Sequence, residues 1–304
     1  MLVSSSGPTS LIGIIGNPLS HSLSPIMQNA AFAALNLDWL YLGLPVTDSS
    51  LKSLIKDLEN IQCRGLNVTI PYKQSVAQLI TELHPIARTT GAVNTLIRGP
   101  KMGWIGTNTD VEGFIAPLKM KSTNWKTKKA IVLGCGGSAR AVVAALIELQ
   151  FTSISVAGRK LVSLQGFVNN YKSFCPQLKY ILWDRFSINS IEIEAFQQAL
   201  KDADLIVNTT PIGMTKRQNT HNSLESPLTD LQLEMLKNEA VVYDLIYTPR
   251  PTLLLDKSVS KGHECIDGLE MLVHQGAASL KLWTGVKDVP INVMRDAALS
   301  YLRS

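Results

Sequence analysis

Cysteine is scarce, with four residues in a chain of 304, Cys63, Cys135, Cys175 and Cys265. They stand too far apart to form a C-x-x-C pair, which argues against zinc-ribbon and dithiol redox chemistry and makes the reducing cytoplasm the simplest setting. Histidine is nearly as thin. Its five residues include no H-x-x-x-H spacing, so a metal is neither needed nor suggested. No stretch reaches ~18 uncharged apolar residues, and Met1 to Ser10 lacks the apolar run of a secretory signal, so neither a membrane span nor an export signal is read. Charge is also modest: 29 basic against 24 acidic residues give a net +5. The one basic cluster, Lys119, Lys121, Lys126, Lys128 and Lys129, joins no wider basic face interleaved with aromatics, and reads as a solvated connector rather than a nucleic-acid surface.

What is present is a globular composition. Apolar residues make up 45% and charged residues 17%, enough to bury substantial cores, and the length favours two domains. Residues 11 to 110 alternate short apolar runs with amphipathic stretches, which predicts an α/β layer. Strands are expected over Leu11 to Gly16, Leu40 to Val46 and Gly65 to Ile70, with helices from Pro25, over Leu51 to Asn60 and over Gln74 to Leu83. Extended runs Ala92 to Arg98 and Met102 to Thr107 flank a turn at Gly99-Pro100 and read as a hairpin. From Lys129 a second alternation begins, with strands at Ala130 to Leu133, Ser153 to Ala157, Lys179 to Trp183, Leu205 to Asn208 and Val241 to Leu245. That is the pattern of a doubly wound nucleotide-binding sheet. Beyond Leu269 two helices are expected, separated by Thr284 to Pro290, and no strand.

Gly134-Cys135-Gly136-Gly137-Ser138-Ala139 fits G-x-G-x-x-A between a buried strand and a helix. Glycines there allow a tight turn and close approach to a pyrophosphate, and the helix start offers free N–H groups and partial positive charge. The next strand ends in Ala157-Gly158-Arg159-Lys160. No carboxylate waits there for a ribose hydroxyl, and Arg159 offers a planar fork of donors to a 2′-phosphate, so NADP is the expected cofactor.

Several ordered segments together resemble the shikimate dehydrogenase family. Gly16-Asn17-Pro18-Leu19-Ser20-His21-Ser22-Leu23-Ser24-Pro25 is similar to the family's N-terminal motif, in which two serines hold the substrate carboxylate, implying Ser22 and Ser24. Taken alone, Ser24 before Pro25 reads as a helix N-cap. Asn67-Val68-Thr69-Ile70-Pro71-Tyr72-Lys73 resembles the N-V-T-x-P-x-K signature and implies substrate contacts from Asn67 and Thr69 and a catalytic Lys73. Gly91-Ala92-Val93-Asn94-Thr95 and Asn108-Thr109-Asp110 resemble the elements that complete the hydroxyl-binding wall, implying Asn94 and a catalytic Asp110 paired with Lys73. In isolation, Asn-Thr-Asp reads as a helix cap at Thr109 or Asp110. Asn208-Thr209-Thr210-Pro211-Ile212-Gly213-Met214 is similar to a turn beside the nicotinamide, and Asp244-Leu245-Ile246-Tyr247 to a strand end whose tyrosine borders the substrate. Gly268-Leu269-Glu270-Met271-Leu272-Val273-His274-Gln275 resembles a helix from which Gln275 reaches the substrate; read simply as an amphipathic helix, it turns Met271, Leu272 and Ala278 inward.

The resemblance implies a fold of an N-terminal α/β substrate domain, residues 1–113 with 269–304, and a Rossmann-type NADP domain, residues 114–268, with a C-terminal helix returning to the first. It implies NADP contacts from Gly134, Gly136, Gly137, Ser138, Ala139, Arg159, Lys160, Thr210, Met214 and Gly268, and no metal. The expected activity is hydride transfer between NADPH and the ring of 3-dehydroshikimate or shikimate. A variant with relaxed choice between quinate and shikimate, and a non-catalytic NADP-binding sensor, are the alternatives. The partner is a small molecule rather than nucleic acid or membrane, the setting cytoplasmic, and the protein a monomer or homodimer. The chain departs from the family at Gly158-Arg159-Lys160, where Asn-Arg-Thr is common, and at Gln28-Asn29, where His-Asn is common.

Overall fold

A computed structural model describes residues 9–100, 103–121, 123–183, 190–215 and 225–303. The chain divides into two compact units, one made of the residues up to Gly113 together with those from Leu272 onward, the other of Phe114–Met271.

The first half of the chain runs β1 (Ser10–Gly16), α1 (Ser24–Ala34), β2 (Trp39–Pro45), α2 (Leu51–Asn60), β3 (Gly65–Val68), α3 (Lys73–Leu79), β4 (Glu82–Leu83), α4 (Pro85–Thr90), β5 (Thr95–Arg98), β6 (Trp104–Thr107) and α5 (Asp110–Lys119). Its strands form one sheet in the order β2-β1-β3-β5-β6-β4. β1 is apolar on both faces, with Ile12, Ile14 and Ile15 buried, as a parallel strand covered on both sides must be. α2 buries Leu51, Ile55 and Leu58, a stripe at helical spacing that closes over a core containing Ile15, Leu66, Leu96 and Trp104. β5 and β6 are the expected hairpin, antiparallel, with Thr95 opposite Thr107.

One expectation fails here. The helix over Gln74 to Leu83 is observed as Lys73–Leu79; Leu83 instead joins a strand opposite Gly106, and a separate α4 follows. The helix stops where Ile80 turns extended, at φ −94° and ψ 127°, and Glu82 and Leu83 pair with β6. Pro85 then sets the start of α4, since the residue before a proline is driven to extended backbone and His84 sits at φ −62°, ψ 153°. The strand expected over Met102 to Thr107 begins at Trp104, and Met102 lies outside the described residues.

The rest runs β7 (Lys129–Leu133), α6 (Gly137–Glu148), β8 (Ser153–Gly158), α7 (Leu161–Tyr171), β9 (Lys179–Leu182), α8 (Ser190–Asp202), β10 (Leu205–Asn208), α9 (Asp230–Glu234), β11 (Val241–Asp244), α10 (Leu253–Ser260), β12 (Glu264–Ile266), α11 (Gly268–Thr284) and α12 (Ile291–Arg303). All six strands are parallel, in the order β9-β8-β7-β10-β11-β12. This is the doubly wound order, and it reverses between β7 and β10, where such sheets open a crevice at the strands' C-terminal ends. β12 was not expected from the sequence; three residues, Glu264-Cys265-Ile266, are too few to show a period. α11 turns Met271 and Ala278 inward as expected, but Leu272 is only half-buried.

From Leu272 the chain completes the first unit. Gln28 Nε2 of α1 donates to the Gly276 carbonyl of α11 at 2.9 Å, and α12 buries Met294 and Ala298.

Candidate active site

In the first unit, a polar wall is built where β3, β5 and the start of α5 meet α11. Lys73, at the first position of α3, donates from Nζ to Asp110 Oδ2 at 2.6 Å, across 37 positions of sequence. The pair is largely shielded, with side-chain exposures of 12% and 7%. The other carboxylate oxygen, Asp110 Oδ1, accepts from Asn94 Nδ2 at 2.8 Å. Asn94 Oδ1 in turn accepts from the Thr109 backbone N–H at 2.7 Å and from Thr95 Oγ1 at 2.9 Å.

Asn67 is buried on β3, between Tyr41 Oη, which donates to its Oδ1 at 2.7 Å, and Ser279 Oγ, which accepts from its Nδ2 at 3.0 Å. Burial, only partly offset by a hydrogen bond with Ser24, raises the Tyr41 pKa, so its hydroxyl remains a donor. Thr69 is half-buried, just past the end of β3. Gln275, on α11, donates from Nε2 to the Leu272 carbonyl at 2.8 Å, and its Oε1 lies 3.4 Å from Asn94 Nδ2. Lys73, Asp110, Asn94, Asn67 and Gln275 are thus assembled from separate stretches of sequence.

The capping readings need correction. α1 begins at Ser24 itself, with Leu23 at the N-cap and no side-chain cap bond; Ser22 Oγ accepts from the Ser24 backbone N–H at 3.3 Å. With Pro25 at the first turn supplying no donor, the helix start makes little demand for a side-chain cap. At α5 neither Thr109 nor Asp110 caps with its side chain; Asn108 Oδ1 accepts from the Asp110 N–H at 3.1 Å. Asp110 is left to face Lys73 and Asn94.

The second unit carries the glycine loop between β7 and α6. Gly134 has φ +106°, and a Cβ there would lie 2.6 Å from Thr209 Oγ1, so the turn admits no side chain. Gly136 faces open space. Gly137, Ser138 and Ala139 form the first turn of the twelve-residue α6, whose opening N–H groups suit an anion. Arg159 and Lys160 are exposed after β8. These features fit a dinucleotide: a close backbone cradle for the pyrophosphate and free cationic groups at the ribose position.

Asn208 and Asp244 end the neighbouring strands β10 and β11. Asn208 Oδ1 accepts from the Thr210 N–H and hydroxyl, while its Nδ2 donates to Asp244 Oδ1 at 3.0 Å. Asp244 also accepts from the Ile246 N–H and from Thr252 Oγ1. Burial pushes its carboxyl up to about 6, against the opposing hydrogen bonds from Thr252, Ile246 and Asn208. The pair ties together the loops bearing Thr210, Met214 and Tyr247, all half-buried. Gly268 opens α11 with its N–H on the Ile246 carbonyl, and a Cβ there would overlap the Leu245 carbonyl.

The sequence assigns no part in the site to Thr95, Ser279 or Tyr41, and offers Thr109 only as a helix cap. Ser279 follows Gln275 by one helical turn, a spacing that would have found it. Among the described residues, no helix is long and apolar enough to cross a membrane, and no group of three or more His, Cys, Asp or Glu could hold a metal ion.

Fold and glycine loop together define a two-unit α/β protein with a Rossmann-type dinucleotide-binding unit. Residues 14–96 match the family model described as the shikimate dehydrogenase substrate binding domain, and residues 268–299 the shikimate 5'-dehydrogenase C-terminal domain. A shikimate dehydrogenase (NADP(+)) of Prochlorococcus marinus (strain MIT 9301) is 45% identical over 304 residues, 98% of this chain and 99% of that one. Shikimate 5-dehydrogenase from Listeria monocytogenes, solved in complex with shikimate and NAD, has a TM-score of 0.83 at 30% identity, covering 97% of this chain and 98% of that one. Its counterpart from Thermus thermophilus, in complex with NADP(H) and shikimate, has a TM-score of 0.80 at 29% identity, covering 96% and 99%. The chain belongs to the shikimate dehydrogenase family.

Proposed function

We propose that the chain catalyses the reversible NADP-linked reduction of 3-dehydroshikimate to shikimate. The observation that carries this reading is the shielded Lys73–Asp110 pair set in a polar wall, within the unit that contains the family's substrate domain. Ser22 and Ser24 are assigned to the ring carboxylate, and Asn67, Thr69, Asn94, Tyr247 and Gln275 to the rest of the substrate. NADP would be held by Gly134, Gly136, Gly137, Ser138 and Ala139 at the pyrophosphate, by Arg159 and Lys160 at the 2′-phosphate, and by Thr210, Met214 and Gly268 towards the nicotinamide. Bound NADPH supplies the hydride. As the ketone is reduced its oxygen gains negative charge, and Lys73 meets that need with an ammonium proton or with its positive charge. Asp110 fixes the ammonium in place. Four cysteines without a disulfide support a cytoplasmic setting, as a monomer or homodimer.

The test is NADP+ reduction, followed by absorbance of the reduced nicotinamide, with shikimate as substrate and with NAD+ and quinate as comparison arms. We expect NADP+ to be used at least ~10-fold more efficiently than NAD+, a difference of about 1.4 kcal/mol, within reach of one charge-assisted contact. Arg159→Ala should narrow that ratio chiefly by weakening NADP+. Folded protein that turns over no shikimate with NADP+ overturns the assignment, and equal efficiency with both cofactors overturns the role of Arg159.

A further inference from the structure

Building on the function proposed above, we infer that Ser279 is a positioning residue, a buried hydroxyl that aligns the substrate wall of the first unit with α11. Ser279 is fully buried, and its Oγ meets four groups from four parts of the chain. It accepts from Asn67 Nδ2 at 3.0 Å, lies 2.9 Å from Thr95 Oγ1 and 3.1 Å from Thr109 Oγ1, and donates to the Gln275 carbonyl at 3.0 Å.

Following the protons gives these contacts a direction. Asn94 Nδ2 has two protons, and its near acceptors are Asp110 Oδ1 at 2.8 Å and Thr109 Oγ1 at 2.9 Å. Thr109, having accepted, has Ser279 Oγ at 3.1 Å as the nearest acceptor for its own proton, ahead of Asn94 Oδ1 and Thr95 Oγ1, each at 3.2 Å. Thr95 gives its proton to Asn94 Oδ1 at 2.9 Å. In the arrangement that follows the shortest contacts, Ser279 accepts from Thr109 and is one of three acceptors around the two Asn67 amide protons, with its own single proton shared between the Gln275 carbonyl and Thr95. An unbroken chain runs from Asp110 through Asn94 and Thr109 to Ser279, and from there to the backbone of Gln275. Lys73 sits at its far end, on the other oxygen of Asp110.

Removing the Ser279 hydroxyl takes one acceptor from Thr109 and one from Asn67, leaving Thr109 with Asn94 Oδ1 and Thr95 Oγ1, each at 3.2 Å, and Asn67 with the Asn94 carbonyl at 3.1 Å and Thr95 Oγ1 at 3.0 Å. Both side chains reorient towards those acceptors, and their turning shifts Asn94 and the carboxylate it holds. The effect belongs to substrate binding and turnover, not to the glycine loop of the other unit.

The experiment compares Ser279→Ala with unaltered protein, with activity counted per NADP+-binding site from a fluorescence titration. We expect the KM for shikimate to rise at least ~5-fold and kcat to fall, while NADP+ affinity stays within ~2-fold. A merely structural role would lower the number of competent sites and leave the KM for shikimate alone. Less than a ~5-fold rise in that KM, or equal loss of affinity for both ligands, overturns the inference. If Ser279→Ala does not fold, Ser279→Cys, near in size but a weak hydrogen-bonding group, is judged by the same criterion. An unaltered protein with no NADP+-linked shikimate activity defeats the functional reading itself, and the inference with it; normal activity with an unmoved KM in the variant defeats the inference alone.

Discussion

A lysine nitrogen 2.6 Å from a shielded carboxylate is held in one place and kept beside a charge that would be costly to leave alone. Lys73→Ala therefore does two things. It removes the group assigned to the reacting oxygen, and it leaves Asp110 buried without its cation. We expect turnover to fall at least ~100-fold, the lower end of what a positioned acid–base group contributes, with shikimate still binding measurably. The variant should also melt at a lower temperature. Adding Asp110→Asn removes the stranded charge, so the double mutant should regain stability while turning over little more slowly than Lys73→Ala. Near-normal turnover of folded Lys73→Ala protein would falsify the assignment, and additive kinetic losses would separate the two residues. Part of this site is visible in the sequence because its members lie in compact motifs such as Asn67 to Lys73 and Asn108 to Asp110. Thr95 and Thr109 are not visible as participants, since their roles come from each other's hydroxyls and that of Ser279 and no local spacing joins positions 95 and 109; Ser279 is reachable only through its one-turn spacing from Gln275. Ser24 misleads for a related reason: serine before proline suits a cap, and only the position of the first helical turn decides otherwise.

At the scale of elements, the ends of β10 and β11 act together. Asn208 and Asp244 stand opposite each other in the sheet and between them fasten two loops. The cost is a carboxylate taken out of water, and it can be read in pH dependence. With the folded value raised to about 6, the native state binds a proton more tightly than the unfolded chain. The stabilisation from the protonated form is thus complete below the unfolded carboxyl's range and is lost as pH rises through about 6. Asp244→Asn imitates the protonated form, and the Thr252 hydroxyl can turn to accept from the new amide. The variant should be more stable than the native protein at about pH 7.5, on the order of 3 kcal/mol at most, with the advantage shrinking towards about pH 4.5. Melting curves across that range check it; an advantage that grows as pH falls would reverse the sign and sink the argument. Long periodic elements such as α2, and a fully buried strand such as β10, are legible in the sequence because their apolar pattern runs the length of the element. β4, α4 and β12 are not, being short and made by pairing or by a proline rather than by any period of their own.

For the molecule as a whole, the sequence conveys two alternating stretches and a helical tail, and similarity to known proteins supplies the return of that tail to the first unit. The return has a physical basis in small contacts. Gly276 lets α11 approach α1 closely enough for Gln28 to bond its carbonyl, and α12 lays Met294 and Ala298 into the same unit. The consequence belongs to the order of synthesis. At roughly 5 to 20 residues per second, a ribosome finishes the N-terminal part of the first unit about 8 to 30 s before the part from Leu272 onward emerges. At the end of that interval the earliest-made unit has its six strands but lacks most of α11 and all of α12, whereas the unit made later is complete and can close first. Chains stalled after Met271 should therefore show a protease-resistant core from the middle of the sequence and a cleavable N-terminal part, the reverse of the usual vectorial order; a resistant N-terminal part in such chains would count against it. On that expectation, the beginning of the chain settles only once its end has arrived.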